Sequence, residues 1–505
     1  MSNLLNTIPL WCIIVSGFIF LYLSYKTATK KLTLSNYLLA DRKLSGDAFA
    51  NTNMASNVSL ASNIIFFIGN SSSYGFLMGL PIIFYTSAQL IVMYVVRKVK
   101  IDFNVIRTIA DLWYSVFPSK FVVRSYSAIL AFAGLLSVFL EIFVGMEIVT
   151  VFLPETIYTK PLCFMAIGIM VIGYVYFGGF NAVVKTDKLQ MTFLGACAFS
   201  LLIFAVAIPA TDLASAETLW KQTIFFDVKG LDLILFVAWV CSLNFLGAFN
   251  STESWHRMSA SASLTESMKG ILKNWWKFAL VFLGPMFAII IMSSKGYEFS
   301  NISQFVGVLS NGEPYQVFLV SIVALGFAAA LFSTADTSLM ATLHTIADKH
   351  TFLPFLAKKE NNPDSNFLKR YLALFMFSVL FICSVLLFVN ENEAAANLVM
   401  PTLYLIWNLM TSLAALPIYA LLSYSYGWKP LQANKFQIAT LGASVLLSFI
   451  VNVFGNDLIA TVFGEASADS VNLISVILIM AVGMYLTAAM DPQFRRTKFN
   501  KPSLA

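Results

Sequence analysis

The sequence predicts an all-α polytopic membrane protein with about thirteen transmembrane helices. Three observations support this fold class. The chain of 505 residues is 58% hydrophobic and only 11% charged, so a water-soluble fold would expose far more apolar surface than soluble proteins tolerate. Apolar runs long enough to cross a hydrocarbon core of about 30 Å recur along the whole chain. Lysine and arginine are concentrated in alternate connecting segments, as the positive-inside rule requires.

The first apolar run is interpreted as a retained helix. Met1 to Ile8 lack the basic residues of a signal peptide, and a basic cluster follows the run. No segment longer than a loop remains for a soluble domain, so residues 1–505 are expected to form a single transmembrane domain. The thirteen runs cover residues 8–25, 48–69, 76–96, 125–153, 161–177, 186–209, 231–250, 276–293, 316–345, 370–389, 396–423, 436–453 and 471–489.

The distribution of basic residues predicts the orientation of these helices. If the segment after the first helix is cytoplasmic, nearly all of the 32 lysines and arginines lie on the inner side. The outer loops then hold only Lys160, Lys221, Lys229 and Lys295. We therefore expect a protein of the cell inner (plasma) membrane with its N-terminus outside and a cytoplasmic tail at 490–505. The net charge of +6 follows from this topology and requires no nucleic-acid partner.

Cysteine and histidine show no pattern of an enzyme or a metal centre. All five cysteines fall inside predicted spans, where they are expected to act as small apolar packing residues. The three histidines, His256, His344 and His350, are expected toward the inner surface without metal-ligand or catalytic-triad spacing. We therefore predict that the protein is not an enzyme.

A polar group in the run 316–345 indicates an ion or substrate path. Ser333, Thr334 and Asp336 lie among alanine, leucine and phenylalanine. An ionisable side chain in a membrane span costs a few kcal/mol on insertion scales, so it is normally retained for function. A cation site is the first hypothesis.

The second run is rich in asparagine and serine between residues 51 and 63, where a lipid-facing helix would carry leucine and valine. Broken backbone at membrane depth is tolerated only where it lines an enclosed cavity. We expect this helix to be interrupted near Ala55 to Ser59, with free carbonyl oxygens. Polar packing between helices is the alternative.

The order of the spans predicts an inverted repeat. Two groups of five helices follow the first helix, and an odd number per group reverses the direction of the second. In such folds the first helix of each group is broken, so an interruption is also expected around Ser242, Asn244 and Gly247. The predicted parts are a leading helix 8–25, a first repeat 48–209, a second repeat 231–423 and two added helices in 436–489.

Three segments in order resemble the sodium/solute symporter family, which includes transporters of proline, pantothenate, sialic acid and sugars. The resemblance covers about residues 35–350 and implies a LeuT-like five-plus-five inverted repeat with one preceding and two following helices. The segments are Asn36-Tyr-Leu-Leu-Ala-Asp-Arg-Lys-Leu44 with the polar helix ending at Ser73-Tyr-Gly75, then Gly178-Gly-Phe-Asn-Ala-Val-Val-Lys-Thr-Asp-Lys-Leu-Gln190, and finally Ala329-Ala-Leu-Phe-Ser-Thr-Ala-Asp-Thr-Ser-Leu339 followed by Asp348.

The resemblance implies a bound sodium ion, Na+, as the only metal. Its ligands would be the hydroxyls of Ser333 and Thr334 and the carbonyls of Ala55, Val58 and Ala330. Residues 330, 333 and 334 lie within about one helical turn, and a hard cation prefers oxygen ligands. The alternative is that the two hydroxyls bond carbonyls four residues earlier in their own helix.

A second sodium site at Asp187, Asp336 and Thr337 is also implied by the resemblance. Some family members carry two sodium ions in a similar arrangement. Asp187 is equally suited to cap the start of its helix, where a carboxylate meets the positive helix end.

Candidate substrate contacts come from the two broken helices and their neighbours, and each is equally suited to packing. They are Asn57, Ser59, Gln89, Trp239 and Asn244.

Two features concern the substrate side. Family members usually show Gln-Arg where this chain has His256-Arg257, after an unusual Asn250-Ser-Thr-Glu253. Glu141 is a further intramembrane carboxylate, suited either to a cationic substrate group, to a proton or to an internal hydrogen bond. Glu147 is expected nearer the outer surface and on a different helix face.

These features predict a monomeric sodium-coupled secondary active symporter that imports a small polar organic solute by alternating access in the lipid bilayer. One sodium ion crossing about 100 mV down a tenfold gradient supplies about 3.7 kcal/mol, enough for roughly 500-fold accumulation of a neutral solute. The alternatives are proton coupling through Glu141 or Asp336, and a transporter-like sensor. A sensor needs an output domain, whereas only about sixteen residues follow the last predicted span.

Overall fold

The computed structural model describes most of the chain, and the predicted tail after residue 490 lies outside the described residues. Within the described part, the one β-type pairing is an isolated parallel bridge between Leu44 and Ser261. All other regular structure there is helical. The described residues are 7–27, 34–211, 231–299, 301–310, 314–348, 350–351, 366–389, 399–425, 435–463 and 465–490.

The helices up to residue 207 include the leading helix and the first predicted repeat. Turns of other helix types lie between some of them, with a 3₁₀ turn at Ala40–Arg42, a π-helical turn at Leu60–Ile64 and a second 3₁₀ turn at Gly75–Gly79. The helices are α1 Ile8–Thr27, α2 Leu34–Leu39, α3 Gly46–Asn57, α4 Ile65–Tyr74, α5 Leu80–Lys98, α6 Ile109–Val116, α7 Lys120–Thr150 and α8 Thr159–Ala207.

The remaining helices include the second predicted repeat and the two added helices. They are α9 Leu231–Asn250, α10 Thr252–Ala260, α11 Leu264–Ser294, α12 Ile302–Ser310, α13 Pro314–Ile346, α14 Asn366–Val389, α15 Val399–Leu413, α16 Ala415–Ser425, α17 Lys435–Phe463 and α18 Glu465–Ala489.

The helix break predicted near Ala55 to Ser59 is present. Helix α3 ends at Asn57, and the next two residues leave the helical region, Val58 with ψ 76° and Ser59 with ψ 136°. The Ser59 hydroxyl then accepts a hydrogen bond from the Ser62 amide and caps the following turn. Polar residues here end one helix and start the next, as expected from their competition with the helical backbone.

The second predicted break lies at a different residue. Helix α9 is continuous through Ser242, Asn244 and Gly247, and the chain breaks only at Ser251, where ψ is 106°. The prediction for the interior of α9 was therefore wrong. The physical reason is that the Asn244 amide donates to the Val240 carbonyl within its own helix at 2.8 Å, so its polar group is satisfied without opening the backbone.

Helix α8 spans 49 residues and consists of two helical segments that meet at a kink without an intervening loop. The bend is at Gly179, whose φ of 55° and ψ of −155° lie outside the helical region. Its Cα faces the backbone and ring of Tyr37, and an added Cβ would lie 2.5 Å from the Tyr37 carbonyl oxygen. The bend therefore requires glycine, both for its dihedral angles and for the close approach of α2.

Nine helices in the described part of the chain are long and apolar enough to cross a membrane. The bent α8 counts once among them, and the broken segment formed by α3 and α4 is not counted. Helices α9 and α18 contain only shorter apolar stretches, Phe236–Asn250 and Ile474–Ala489. The total of thirteen crossings and the division into two repeats therefore stay predictions.

Helix α13 lies at the centre of the bundle. It packs against α8, α7, α1 and the broken helix α3. Of its apolar window, 78% is buried, compared with 22% for the peripheral α14. The polar residues of α13 are therefore enclosed by protein, where hydrogen-bond partners or bound ions must satisfy them.

Candidate functional site

The break after α3 meets α13 at Thr334. The Thr334 hydroxyl lies 3.3 Å from the Ser56 carbonyl oxygen and 3.3 Å from the Val58 carbonyl oxygen. Ala55, Val58 and Ala330 are also buried here. Two backbone oxygens at the break therefore converge on a hydroxyl of a distant helix. They are those of Ser56 and Val58, whereas the Ala55 carbonyl oxygen accepts from the Val58 amide at 3.3 Å.

The Ser333 hydroxyl contacts a different partner. It donates to Asp187 Oδ1 at 2.8 Å, and the Thr52 hydroxyl of α3 donates to Asp187 Oδ2. Among the described residues, neither Ser333 nor Thr334 bonds a carbonyl of its own helix, so the back-bonding alternative does not describe this pair. Asp187 does not cap a helix start either, because it is fully buried within α8, eight residues after the bend at Gly179.

Asp336 lies near Asp187, and both carboxyl groups are fully buried. The Thr337 hydroxyl donates to Asp336 Oδ1 at 3.3 Å. Within the described chain, no lysine, arginine or histidine is within ion-pair distance of either carboxylate. Like charges in a low-dielectric interior are unfavourable without a counter-charge, so this cluster is suited to a cation.

Arg257 is a basic side chain whose charge acts on this cluster. It is fully buried and donates from Nη2 to the Ser56 hydroxyl, while its Nε and Nη1 have no hydrogen-bond partner in the described structure. Its charge interacts favourably with both Asp187 and Asp336, but from beyond ion-pair distance. One guanidinium therefore offsets part of the negative charge of two aspartates.

A cavity of about 230 Å³ adjoins the break and includes Thr334 in its wall. Four of the five predicted substrate contacts line it: Asn57, Ser59, Trp239 and Asn244. The cavity is smaller than the pockets of about 300 to 1,000 Å³ that hold drug-sized ligands. Its size therefore suits a small solute.

Gln89, the fifth predicted substrate contact, is not among the residues that line this cavity. It is buried behind the wall, where its Oε1 accepts from the Asn53 amide at 2.8 Å and its Nε2 lies 3.4 Å from the Ser254 hydroxyl. The polar groups of Gln89 therefore join α3 to α10. The position of a glutamine within a helix does not predict such a contact from sequence.

Glu141 forms internal hydrogen bonds, one of the alternatives left open by the sequence. Its carboxylate accepts from the Ser59 hydroxyl and from the backbone amides of Leu60 and Ala61, at 3.2 and 3.3 Å. The carboxylate thus caps the helical turn that starts after the break, where unpaired amides create a positive end. Glu147 instead pairs with Lys160 at 3.1 Å and accepts from Ser303.

Glu141→Ala is expected to destabilise the protein by about 3 kcal/mol, because two buried amides and one hydroxyl lose their acceptor. Glu141→Gln keeps an acceptor oxygen, and its loss of folding stability is expected to be less than half that of Glu141→Ala. Thermal unfolding of the purified variants measures the difference, with Glu147→Ala as a carboxylate control away from the break. Equal melting temperatures for Glu141→Ala and Glu141→Gln would contradict the capping role.

Besides Ser56 and Arg257, three further residues of the site were not predicted. Thr52 binds Asp187, Glu253 lines the cavity, and Trp407 forms another part of its wall. Thr52 belongs to the polar segment 51–63, and Glu253 belongs to the unusual segment Asn250-Ser-Thr-Glu253, so both carried a signal. Trp407 lies in an apolar run that resembles any other membrane helix.

The residues that depart from the family pattern have separate roles. His256 lies outside the cavity wall, with Nε2 2.5 Å from the Leu38 carbonyl oxygen and its ring beside His344. Glu253 is the member of this segment with a carboxylate at the cavity, and the Ser338 hydroxyl donates to its Oε1 at 2.5 Å.

His350 corrects the expectation that no histidine has metal-ligand neighbours. Its ring nitrogen and carboxylate oxygens of Asp111 and Asp348 lie within 4.8 Å of one another. The group also forms a contact between the two predicted repeats, because the Thr108 hydroxyl donates to Asp348 at 2.6 Å and the Tyr114 ring stacks on His350. Arg124 adds a hydrogen bond to the Thr351 carbonyl at 3.2 Å.

The fold and the site define a multi-pass membrane protein with a broken helix beside a polar, enclosed centre. The model of the sodium:solute symporter family matches residues 37–434. The chain belongs to this family, which confirms the resemblance found in the sequence. No curated protein sequence matches the chain.

One of the similar solved structures shows the same fold at low sequence identity. A Na+-coupled sialic acid symporter, solved substrate-bound and outward-open, has a TM-score of 0.67 and 14% identity over 96% of this chain and 98% of that chain. An Eremococcus coleocola manganese transporter mutant has a TM-score of 0.46 and 13% sequence identity, over 93% of this chain and 98% of that chain. The inward-facing conformation of Mhp1 has a TM-score of 0.41 and 14% sequence identity, over 91% of this chain and 96% of that chain. The predicted all-α, LeuT-like membrane fold is thus confirmed, on the first of these likenesses.

Proposed function

We propose that the protein is a sodium-coupled secondary active symporter that imports a small polar organic solute by alternating access. The observation that carries this proposal is the convergence of the Ser56 and Val58 carbonyls on Thr334 across the helix break. Family membership supports it, as does the fold shared with a Na+-coupled symporter. The protein is then a carrier in the cell inner membrane, with its N-terminus outside, and performs no covalent chemistry.

The first sodium ion is assigned to the hydroxyls of Ser333 and Thr334 and the carbonyls of Ala55, Val58 and Ala330. These are neutral oxygen ligands, which suit a hard monovalent cation. The Thr334 hydroxyl at 3.3 Å from Val58 supports this set, because one oxygen-lined space joins both helices. Ser333 would offer an oxygen lone pair to the ion while its hydroxyl continues to donate its hydrogen bond to Asp187.

The second sodium ion is assigned to Asp187, Asp336 and Thr337. Two buried carboxylates without an ion-pair partner support this assignment, because a bound cation would relieve their repulsion. Ser333 links the two sites, since it contacts Asp187 and is adjacent to Thr334. Occupancy of one site is therefore expected to favour the other.

The solute is assigned to the cavity beside the break, with contacts from Asn57, Ser59, Trp239 and Asn244. Each of these residues lines the cavity, and Thr334 does so as well. The shared wall gives a reason for coupling: ion binding fixes the broken helix whose residues contact the solute. Ion and solute then stabilise the same conformation, which is the thermodynamic requirement for symport.

Thr334→Val is expected to weaken sodium binding by about tenfold or more, because it replaces an oxygen ligand by a methyl group of similar size. Sodium chloride titrations of the thermal stability of purified protein measure this, with potassium chloride at equal ionic strength as the ion control. Thr345→Val is the matched variant, because the Thr345 hydroxyl bonds the Ala341 carbonyl of the same helix at 2.9 Å.

Unchanged sodium stabilisation in Thr334→Val, or equal stabilisation by potassium, would contradict the sodium site. Proton coupling through Glu141 or Asp336 is the rival outcome. It would appear in proteoliposomes as solute uptake driven by a pH gradient without sodium and abolished in Glu141→Gln or Asp336→Asn.

A further inference from the structure

The charged groups of the central cavity all have the same sign. Among the described residues that line it, Glu141 and Glu253 are the acidic ones, and no lysine, arginine or histidine is present. Arg257 lies behind the wall, where it donates to Ser56. A solute that carries a carboxylate or phosphate would therefore meet negative charge without a basic partner.

The helix end that could hold an anionic solute is already used. Broken-helix transporters commonly direct a half-helix N-terminus at the anionic group of a substrate. Here the amides of Leu60 and Ala61 bind the Glu141 carboxylate at 3.2 and 3.3 Å, and Ser59 donates to it as well. The protein thus supplies the anion itself, which disfavours a solute bound through its own carboxylate.

Glu253 offers a negative group to the cavity. Ser338 donates to its Oε1 at 2.5 Å. In the described part of the chain, no basic side chain is within ion-pair distance of Glu253. Glu253 is only half-buried, so its carboxylate is accessible from the cavity. A carboxylate in a cavity without a basic residue among its described lining residues is stabilised by a cation at this position.

Aromatic rings form the other part of the wall. The Phe66 ring lies between two indoles, 6.4 Å from the Trp239 ring and 5.8 Å from the Trp407 ring between centroids. All three line the cavity. The faces of such rings attract organic cations, and clusters of them are the usual recognition element for quaternary ammonium groups. These rings line the end of the cavity away from Glu253, because Trp239 and Asn250 are about 16 Å apart along the continuous helix α9. That end of the cavity therefore also favours an organic cation.

We propose that the solute is a small organic cation, an amine or a quaternary ammonium compound, whose positive charge pairs with Glu253. This inference rests on the proposed function, because it assigns the cavity to the transported solute. It distinguishes this chain from a carrier of sialic acid, which is an anion.

Probes that differ in charge but not in shape test the proposal. Calorimetric titrations in sodium chloride compare choline with dimethylbutanol, in which carbon replaces the nitrogen, and with dimethylbutanoate, which is anionic. Tetramethylammonium and ethanolamine extend the cationic series. At least one cation is expected to bind about tenfold or more tightly than the neutral and anionic probes. Equal or tighter binding of the neutral or anionic probe, or no binding by any cation, overturns the proposal.

Glu253→Gln is expected to weaken binding of the best cation by about tenfold or more, and to leave dimethylbutanol unchanged. Glu253→Asp keeps the charge and is expected to retain cation selectivity, while Glu147→Gln removes a carboxylate outside the cavity and is expected to bind as the parent does. Cation affinity equal to the parent in Glu253→Gln overturns the proposal.

Sodium stabilisation without any solute is measured on the same variants. It shows whether Glu253→Gln is folded and reports separately on the proposed coupling. Sodium stabilisation without cation selectivity contradicts only the solute class. Cation binding without a sodium response contradicts the sodium symport and retains the solute class.

Discussion

Gly179→Ala is expected to prevent stable folding of the protein. A residue with a Cβ at φ 55° and ψ −155° is strained by about 1 to 3 kcal/mol. The added Cβ would also lie 2.5 Å from both the carbonyl oxygen and a ring carbon of Tyr37. Tyr37 cannot move aside easily, because it is fully buried and its hydroxyl donates to the Val175 carbonyl at 3.0 Å.

The measurement is the yield of monodisperse protein in detergent and its melting temperature. Gly195→Ala is the matched control, because Gly195 lies on the same helix and an added Cβ would meet nothing within 4 Å. This control is expected to be neutral or slightly stabilising, since alanine favours the helix by up to about 1 kcal/mol over glycine. A well-folded Gly179→Ala protein with a parental melting temperature would show that the bend does not require glycine.

Asp187→Asn is expected to weaken sodium binding by about a hundredfold, the largest effect on the proposed function. The substitution keeps the size of the side chain but removes a formal charge from the buried cluster formed with Asp336. The Asp187 carboxylate accepts hydrogen bonds from both Thr52 and Ser333. The amide of asparagine keeps only one oxygen, and its NH₂ group cannot accept the second hydrogen bond. A hundredfold loss corresponds to about 2.7 kcal/mol.

Sodium titrations of thermal stability measure this effect. Asp47→Asn is the control, because Asp47 is an exposed carboxylate that binds Lys273 and Asn274 at 3.3 and 3.2 Å. It is expected to leave the sodium affinity unchanged. If Asp187→Asn keeps parental affinity while Thr334→Val loses it, the second ion site is wrong and the first stands.

Much of the fold was predictable because the membrane imposes simple rules on a sequence. Apolar length identifies spans, and polar residues inside a span mark protein-enclosed positions. This reasoning located the break after Asn57 and the polar group of α13. It did not locate the break at Ser251, because Asn244 satisfies its amide within α9 and looks identical in sequence to a residue that opens a helix.

The site was less predictable because its contacts join distant segments. That Ser333 contacts Asp187, 146 residues away, follows only from the packing of α13 against α8. The hydrogen bonds of Gln89 were not predictable for the same reason, since its partners Asn53 and Ser254 lie on other helices. His350 and Asp348 likewise contact Asp111 although the two segments are about 240 residues apart in the chain. The hydrogen bond between Thr108 and Asp348 joins the same two segments.

The contacts around Asp348 have a kinetic consequence. Thr108, Tyr114 and Arg124 join the first predicted repeat to the segment after α13 through two hydrogen bonds and one ring stack. If the two repeats move relative to each other during transport, these contacts have to open once in every cycle. Their strength then contributes to the barrier between the two orientations of the carrier. Turnover rate would be set partly by residues that touch neither ion nor cargo.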